Sequence, residues 1–141
     1  MHIYPRPPAI KVISLLAACS LPNADVSAKK LEHFFGCGTE MNPSGVVGVE
    51  LYGDAALLRS LAVAESVRGQ GCGTRLVMQA EAYAQSRGVK RLYLLTTTAE
   101  SFFGSLGYER VDRETVPESI RATTEFSGLC PTTAAVMVKA L

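Results

Sequence analysis

The residues whose types and spacing could do chemistry lie together in the segment Arg68-Gly69-Gln70-Gly71-Cys72-Gly73-Thr74. Its alternating glycines remove the side chains that would block a phosphate, and they permit a tight turn whose backbone N–H groups point in one direction. A helix that opens directly after this turn adds its unpaired amides and the positive end of its dipole. The segment therefore predicts a site for a pyrophosphate group, although glycines at this spacing also occur in a plain sharp turn.

The spacing of this glycine segment separates it from two better-known phosphate-binding loops. A P-loop carries Lys and then Ser or Thr after its last glycine, whereas Thr74 and Arg75 follow Gly73 here. The dinucleotide-binding fingerprint needs a third glycine three residues after the second, and Leu76 takes that position if Gly71 and Gly73 are the first pair. The pattern that remains is Arg-x-x-Gly-x-Gly behind a strand.

An apolar hairpin precedes the glycine segment and must position it. The runs 45–52 and 55–63 are typical of strands, and Gly53-Asp54 between them is a two-residue turn signal. A tight turn sets the register of the pairs Tyr52–Ala55, Glu50–Leu57 and Gly48–Arg59. Since side chains alternate along a strand, one face is an apolar core face with Val47, Val49, Leu51, Ala56 and Leu58. The other face carries Glu50, Tyr52, Leu57 and Arg59.

The remaining elements are predicted from periodicity and from turn residues. Apolar positions at helical spacing after the glycines predict a helix that ends at Gly88, and the run 89–95 predicts a buried strand parallel to the strand before the segment. The other predicted strands are 1–4, 33–37, 108–112 and 133–139. The other predicted helices are 9–20, a short helix to Leu31 capped by Asp25 or Ser27, 98–106 and 117–125, and a polar loop is predicted at 38–44.

Length and composition predict one ordered domain over residues 1–141. Apolar residues make up 48% of the chain and charged residues 19%, which is typical of a globular protein. The formal net charge of +1 supplies no general attraction for nucleic acid or for an anionic membrane, so we expect neither as a partner.

The cysteines and histidines show no pattern of a metal site. The four cysteines, at 19, 37, 72 and 130, lack C-x-x-C spacing, and the two histidines are not placed to join them as ligands, so no metal is expected. We interpret the cysteines as reduced thiols in a cytoplasmic protein. Leu16-Ala17-Ala18-Cys19 also matches the pattern cleaved before a lipid-modified cysteine, but the same residues fit a buried first helix, which we favour.

The pattern Arg-x-x-Gly-x-Gly behind the strand residues Leu61-Ala62-Val63 resembles motif A of the GNAT acetyltransferase superfamily. The resemblance extends over 45–107 and implies an α/β (α+β) fold with a mixed, mostly antiparallel central sheet, flanking helices and a βαβ unit around the loop. It implies acetyl-coenzyme A as co-substrate, with the pyrophosphate on the amides of 69–74 and on Arg68. It also implies a bulge in the preceding strand, where the backbone of Leu61, Ala62 and Val63 bonds the pantetheine arm.

A second motif, 99–108, is similar to the family pattern Ala-x-x-Phe-Tyr-x-x-x-Gly-Phe. The resemblance implies Phe102 as a cofactor contact, and we expect at least one of Phe102 and Phe103 in the core. Phe103 replaces the tyrosine with which many members protonate the departing thiolate, and Thr96 stands where many have an asparagine that touches pantetheine. Because a thiol has a pKa of about 8.5 and leaves fairly well as an anion, solvent can take the place of the tyrosine.

A narrower resemblance concerns the acceptor. The segments Leu51-Tyr52-Gly53, 57–61, 94–98 and 126–137 look like the small GNAT proteins associated with arsenic resistance and like the acetyltransferase domain of N-acetylglutamate synthases. This implies an N-acetyltransferase whose acceptor is a small-molecule amine of amino-acid type, such as a glutamate analogue or an arsenical or phosphinic amino acid. The family also allows a homodimer paired through sheet edges.

An acceptor amine must lose a proton, for which a carboxylate is the expected general base. Glu50 is our candidate base, and Arg59, Tyr52 and Arg121 are the candidates for binding the substrate, since an arginine fork suits a carboxylate. The alternative is that Glu50 and Arg59 only form a cross-strand ion pair on a solvated face. The competing function is a non-catalytic acetyl-coenzyme A-binding sensor or regulatory subunit, which the phenylalanine at position 103 favours.

Overall fold

The computed structural model describes residues 2–129 and 133–141, apart from the side chain of Leu129. The strands are β1 (Ile3–Pro5), β2 (Phe34–Thr39), β3 (Asn42–Tyr52), β4 (Ala55–Val63), β5 (Arg91–Thr96), β6 (Glu109–Val111) and β7 (Ala135–Ala140). The helices are α1 (Ala9–Ala18), α2 (Ala28–Leu31), α3 (Cys72–Ser86), α4 (Glu100–Ser105) and α5 (Glu118–Arg121). Met1 of the first predicted strand and the predicted thiol of Cys130 lie outside the described residues.

The strands form one sheet of seven in the order β1-β2-β3-β4-β5-β7-β6. Within the described residues, β4 and β5 are parallel and the other neighbouring strands are antiparallel. Because α3 connects β4 to β5, the chain forms the predicted βαβ unit around the glycine segment. The predicted mixed, mostly antiparallel sheet with flanking helices is confirmed.

β3 and β4 form the predicted hairpin. The observed register has the pairs Tyr52–Ala55, Glu50–Leu57 and Gly48–Arg59, as expected. The predicted core face packs under α3 through Val47, Val49, Leu51, Ala56 and Leu58. The other face is also covered, because Leu57 packs with Ile120 and Phe126 from the C-terminal part of the chain. Glu50 and Arg59 therefore lie on a buried face, and the alternative of a solvated face is wrong.

A bulge interrupts β4 shortly before the glycine segment. The pairs Val46–Ala62 and Gly48–Arg59 enclose one residue of β3 but two residues of β4, Ser60 and Leu61. Ser60 takes a φ of 59°, as one residue of a bulge often does, and the bulge increases the local twist of the strand. The bulge that the resemblance implies in this strand is thus present.

β4 and β5 separate soon after they begin. They pair only from Ala55–Arg91 to Leu57–Tyr93, at the start of both strands. Beyond these pairs, residues 58–63 of β4 are not paired with residues 94–96 of β5. The sheet is therefore open between these two strands, directly before the glycine segment.

Two of the predicted boundaries are wrong. The predicted loop 38–44 is a tight turn, because β3 already begins at Asn42, which pairs with Thr39 and accepts the Thr39 hydroxyl at its carbonyl. The predicted helix 117–125 ends as the short α5 and is followed by a π-turn, Glu125–Leu129. The hydroxyl of Thr123 accepts the backbone N–H of Phe126 and so starts this new turn.

α1 packs against β3 and β4. Val12 and Leu16 are completely buried in a cluster with Phe34, Val46 and Ala62. The predicted first helix is present, and it is buried on the side of Val12 and Leu16, whereas Ile10 and Ile13 are exposed. No helix in the described ranges combines the length and the apolarity that crossing a bilayer requires.

We expect Gly48→Ala to destabilise the protein, because Gly48 has no room for a methyl group. A Cβ built on Gly48 overlaps the ring of Phe34, its partner on β2. Overpacking of this kind costs about 1–3 kcal/mol of unfolding free energy, which urea unfolding measures.

The matched control is Gly104→Ala. Gly104 lies in α4 with open space around its Cβ, so this substitution is expected to be neutral or to stabilise by about 0.5–1 kcal/mol. Equal effects of the two substitutions would contradict the close approach of Phe34 to Gly48.

Candidate active site

A cleft of about 1140 Å³ opens where β4 and β5 separate. The bulged end of β4, 58–63, lines one part of it, and the end of β5 with the residues that follow, 94–99, lines another. The remaining lining comes from the glycine segment, from the connector 19–22 between α1 and α2, and from Val67, Phe102, Phe103, Glu125 and Ala134. The parting of two strands thus makes the cavity, and the glycine segment borders it.

The glycine segment enters α3 without a side-chain cap. Gly71 is the cap residue with a φ of 84°, which favours glycine, and it offers no side chain to the amides of the first turn. A Cβ built on Gly69 or Gly71 would meet nothing within 4 Å, so an approaching group meets only backbone there. The first N–H groups of a helix lack intrahelical partners and attract anions. These residues fit a pyrophosphate.

The two phenylalanines of the second motif have different surroundings. Phe102 lines the cleft, and its ring lies 3.5 Å from a Cβ built on Gly73. Phe103 is 5% exposed and packs edge-on against Phe102 and Tyr108 in the main core cluster. The expectation that at least one of the pair is a core residue is confirmed. Phe103 also borders the cleft, where it offers no hydroxyl.

Arg68 folds back onto the end of β4. Its Nε donates to the carbonyl oxygen of Val63 at 3.1 Å, and its Nη2 lies 3.6 Å from Sγ of Cys19. The thiol of Cys19 donates to the same carbonyl at 3.6 Å. The carbonyl of Val63 belongs to the stretch 61–63 whose backbone the resemblance assigns to pantetheine, and the side chain that binds it is the one that the resemblance assigns to the pyrophosphate.

Arg59 borders the cleft, yet its side chain is fully buried among carboxylates. Asp25 binds it through two parallel bonds, from Nη1 to Oδ2 at 2.5 Å and from Nη2 to Oδ1 at 2.6 Å. Nη1 also donates to Oε2 of Glu50 at 2.7 Å, and Oε2 of Glu125 lies 3.5 Å from Nε. Nε donates to Oγ of Ser60, the bulge residue, at 3.0 Å. Glu125 is thus the most distant of the three carboxylate partners.

Glu50, the predicted base, is held inside the protein. Its Oε1 accepts the hydroxyl of Tyr52 at 2.5 Å, and Nζ of Lys30 lies 3.7 Å from its Oε2. Only 11% of its side chain is exposed, and it is not one of the residues that line the cleft. The structure therefore brings the predicted residues Glu50, Tyr52 and Arg59 together, but it does so in an internal ion-pair network.

We call Asp25, Lys30, Glu50, Arg59 and Glu125 the Arg59 cluster. Its three carboxylates against two cations leave one formal negative charge. Burial acts to raise the pKa of Asp25, but hydrogen bonds from Arg59 and Lys30 outweigh it and hold that pKa well below its usual range. Burial likewise acts against the charge of Arg59, yet its bonds to Asp25 and the nearby Glu125 raise its pKa further.

The cluster also affects Tyr52. Burial and the hydrogen bond to Glu50 raise the pKa of Tyr52 well above its ordinary value. The phenol therefore stays protonated and donates to the carboxylate at neutral pH.

Cys37 of β2 and Cys72, the first residue of α3, form a disulfide. The interpretation of the cysteines as reduced thiols is wrong for this pair, and Cys19 is the free cysteine of the described residues. The pair is separated by 35 positions, and only the packing of α3 on the sheet brings it together, so no spacing could have indicated it. Any contact of Cys72 with a cofactor is left to its backbone.

Three members of the cluster, Asp25, Lys30 and Glu125, were not predicted as site residues, and one predicted residue is remote from the cleft. Arg121 lies exposed at the end of α5 and does not line the cleft. Asp25 was expected as an alternative helix cap, but Ser27 caps α2 by accepting the N–H of Lys30. Asp25 and Glu125 contact Arg59 although both are far from it in the sequence, and neither lies in a motif that indicates a site residue.

Comparison with protein families assigns the chain to one family. Residues 14–108 match the model of the acetyltransferase (GNAT) family. The chain belongs to the GNAT family. The matched range contains the bulged β4, the glycine segment, α3, β5 and α4, so it holds most of the lining of the cleft.

Three similar proteins illustrate how far the likeness extends. An uncharacterized N-acetyltransferase of Chlorobaculum tepidum is 40% identical over 65 residues, which are 46% of this chain and 41% of that protein. An amino-acid acetyltransferase of Ralstonia nicotianae is 36% identical over 94 residues, 64% of this chain and 19% of that protein. N-acetylglutamate synthase from Neisseria gonorrhoeae, complexed with coenzyme A and L-arginine, has the same fold with a TM-score of 0.84 and 18% identity, over 99% of this chain and 33% of that chain. The GNAT chain thus spans less than half the length of these relatives.

We expect Arg59→Met to destabilise the GNAT domain strongly, because the substitution leaves Asp25, Glu50 and Glu125 without their shared guanidinium. Removing one partner from a buried ion pair costs about 3–5 kcal/mol of unfolding free energy, which urea unfolding measures.

Arg121→Met is the control, since it removes the same side chain at an exposed position. Its expected effect stays within about 0.5 kcal/mol. Comparable losses in the two variants would mean that the Arg59 cluster does not hold the fold.

Proposed function

We propose that this GNAT protein moves the acetyl group of acetyl-coenzyme A to the amine of a small, amino-acid-like molecule. The observation that carries the proposal is the uncapped start of α3 behind Gly71, which opens onto the cleft between the separated ends of β4 and β5. That arrangement suits a ligand with a pyrophosphate at one end and a slender arm that runs along β4. The cleft, at about 1140 Å³, is also larger than a small amine alone needs.

In this proposal the cofactor end of the cleft is the glycine segment with the end of β4. The amides of 69–74 bind the pyrophosphate, and Arg68 leaves the Val63 carbonyl to join them. The backbone of 61–63 forms hydrogen bonds with the pantetheine arm. The bulge supports this assignment because it leaves backbone groups without a partner strand. A free N–H near Ala62 polarises the thioester carbonyl as negative charge develops there.

The acceptor end, we propose, is the pair Arg59 and Glu125, which line the cleft together. An amino acid is a zwitterion, so its ammonium group is complementary to Glu125 and its carboxylate to Arg59. Glu125 contacts Arg59 at 3.5 Å, more distantly than Asp25 or Glu50, and is therefore the partner that a substrate carboxylate displaces most easily.

Deprotonation of the acceptor amine is assigned in this proposal to Glu125. Glu125 lines the cleft, whereas Glu50 accepts hydrogen bonds from Tyr52 and Arg59 away from it. Glu50 and Tyr52 then act by holding Arg59, and Glu125 takes the proton directly or through a water molecule.

The residue at position 103 favours a second candidate function. Phe103 borders the cleft without a hydroxyl, so the departing thiolate takes its proton from solvent in the catalytic proposal. The same feature supports a non-catalytic acetyl-coenzyme A sensor or regulatory subunit, which would bind the cofactor and turn over no amine.

The finer parts of the proposal come from resemblance. The names of two relatives, an amino-acid acetyltransferase and an N-acetylglutamate synthase, support an acceptor of amino-acid type. The arsenical or phosphinic acceptor and the homodimer stay part of the proposal on the resemblance described above. The cytoplasmic location also stays a proposal, although the reduced thiols from which it was inferred are not found at Cys37 and Cys72.

Thiol release from acetyl-coenzyme A tests the proposal, with glutamate, phosphinothricin and arsinothricin among the acceptors and calorimetric coenzyme A binding alongside. We expect turnover with at least one amino acid and at least about a tenfold loss of coenzyme A affinity in Gly71→Val, because a branched side chain there covers the amides.

Gly88→Val is the control, since Gly88 has the same φ of 84° at the far end of α3. Backbone strain should destabilise both variants by about 1–3 kcal/mol, while only Gly71→Val weakens binding. An unaltered protein that binds no coenzyme A would contradict the proposal, and one that binds it tightly but acetylates no amine would support the sensor.

Glu125→Gln and Glu50→Gln distinguish the two carboxylates once an acceptor is found. Loss of the general base is expected to lower kcat about 10²- to 10⁴-fold in Glu125→Gln, with the affinity for coenzyme A unchanged. Glu50→Gln should lower kcat less, because it only loosens Arg59.

Glu114→Gln, at an exposed position outside the cleft, is the control and should leave kcat unchanged. An unchanged kcat in Glu125→Gln, with a large loss in Glu50→Gln, would return the base to Glu50.

A further inference from the structure

The Cys37–Cys72 disulfide joins the sheet to the start of the cofactor helix. Cys37 belongs to β2, and Cys72 is the first residue of α3, directly after Gly71. The two residues are 0% and 1% exposed, and Cys72 is also one of the residues that border the cleft. The bridge therefore ends at the turn whose amides face the proposed pyrophosphate.

The glycine segment has few contacts of its own that could hold it. A Cβ built on Gly69 or Gly71 meets nothing within 4 Å, so the middle of the segment lies free of packing. At its front end, Nε of Arg68 donates to the carbonyl of Val63 at 3.1 Å. At its rear end, the covalent anchor is Cys72. The amides of 69–71 are thus held from the two ends of the segment, and the disulfide adds a covalent link at the rear end.

We propose that Cys37 and Cys72 are a redox-active site that exchanges with low-molecular-weight thiols and disulfides, and that its oxidised form binds coenzyme A more tightly. The choice of coenzyme A as the ligand rests on the proposed function, whereas the bridge does not. The bridge fixes the first turn of α3 before the ligand arrives, and a preorganised site loses less freedom on binding.

The chemistry balances as two thiol–disulfide exchanges. A thiolate of an added dithiol attacks Sγ of Cys72, the bond between the two cysteine sulfurs breaks, and Cys37 leaves as a thiolate that takes a proton. The second thiol of the dithiol then displaces Cys72 and closes the dithiol's own disulfide, so two electrons pass to the protein. Oxidised glutathione reverses the process and leaves as two molecules of glutathione.

The surroundings of the bridge keep the two sulfurs close together after reduction. A Cβ built on Gly45 of β3 would meet Sγ of Cys72 at 2.7 Å and Sγ of Cys37 at 3.1 Å, so β3 closes the space beside both sulfurs. Reduced cysteines behave as small apolar side chains and suit this buried position. α3 also stays docked without the bridge, because it buries Leu76, Val77, Ala80 and Ala84 in the core. Reduction thus frees the first turn and leaves the sulfurs close enough to be oxidised again.

The experiment uses the full chain with Cys19→Ala and Cys130→Ala, in which 37 and 72 are the cysteines that remain. Its oxidised and dithiothreitol-reduced forms are titrated with desulfo-coenzyme A in a calorimeter, since this analogue carries no thiol and cannot reduce the bridge. Alkylation in denaturant followed by peptide mass spectrometry gives the state of each cysteine. We expect a dissociation constant about 3- to 10-fold higher in the reduced form.

Binding and redox state must also be linked in the other direction. A ligand that prefers the oxidised form stabilises the bridge by the same factor. Saturating desulfo-coenzyme A should therefore shift the glutathione equilibrium of the pair about 3- to 10-fold toward the disulfide. The double variant Cys37→Ala/Cys72→Ala is the control. Its affinity for desulfo-coenzyme A should equal that of the reduced form and should not change when dithiothreitol is added.

The outcomes separate this inference from the proposed function. Equal affinity in the two redox states, or alkylation of both cysteines without prior reduction, would overturn the redox site while the proposed function stands. No binding in either state would overturn the proposed function and, with it, the coupling to coenzyme A. Retention of the dithiothreitol response by the double variant would also overturn the inference.

Discussion

The guanidinium of Arg59, buried between three carboxylates, is the interaction on which the rest of the structure depends. A charged group without water is stable only with its partners in place, so each partner must arrive with the segment that carries it. Asp25 brings the connector between α1 and α2, Glu50 belongs to the hairpin, and Glu125 begins the π-turn near the C-terminus. One side chain therefore joins three regions that are far apart in the chain, and each of them contributes residues to the lining of the cleft.

The same position is where the sheet opens. Arg59 precedes the bulge residue Ser60 and binds its hydroxyl, and β4 has already parted from β5 at Leu57. A strand that separates from its neighbour leaves backbone groups and side chains along that edge unpaired. Here the buried ion-pair network and the start of α3 surround the opening. The cleft is thus a consequence of strand geometry, and the charges at its edge are held by the fold before any substrate binds.

Local patterns in the sequence predicted the elements that depend on neighbours in the chain. The turn at Gly53-Asp54 predicted the hairpin register, and the glycine segment predicted the start of α3, because both are decided within a few residues. The Asp25–Arg59 pair and the Cys37–Cys72 bridge could not be predicted in this way, since each joins elements that meet only after the sheet has formed. The hydroxyl of Thr123 accepts the N–H of Phe126, three residues further on, so the predicted C-terminal helix ends for a local reason that the pattern of 117–125 did not indicate.

In the proposed function, Arg68 serves both ends of one ligand. Its guanidinium donates to the carbonyl of Val63, which lies in the stretch 61–63 that the resemblance assigns to pantetheine. If a pyrophosphate at the glycine segment draws the guanidinium away, as proposed, that carbonyl becomes available to the arm. Under that proposal the two ends of the cofactor cooperate through a single residue, so fragments of the cofactor would be poorer ligands than their separate contacts suggest.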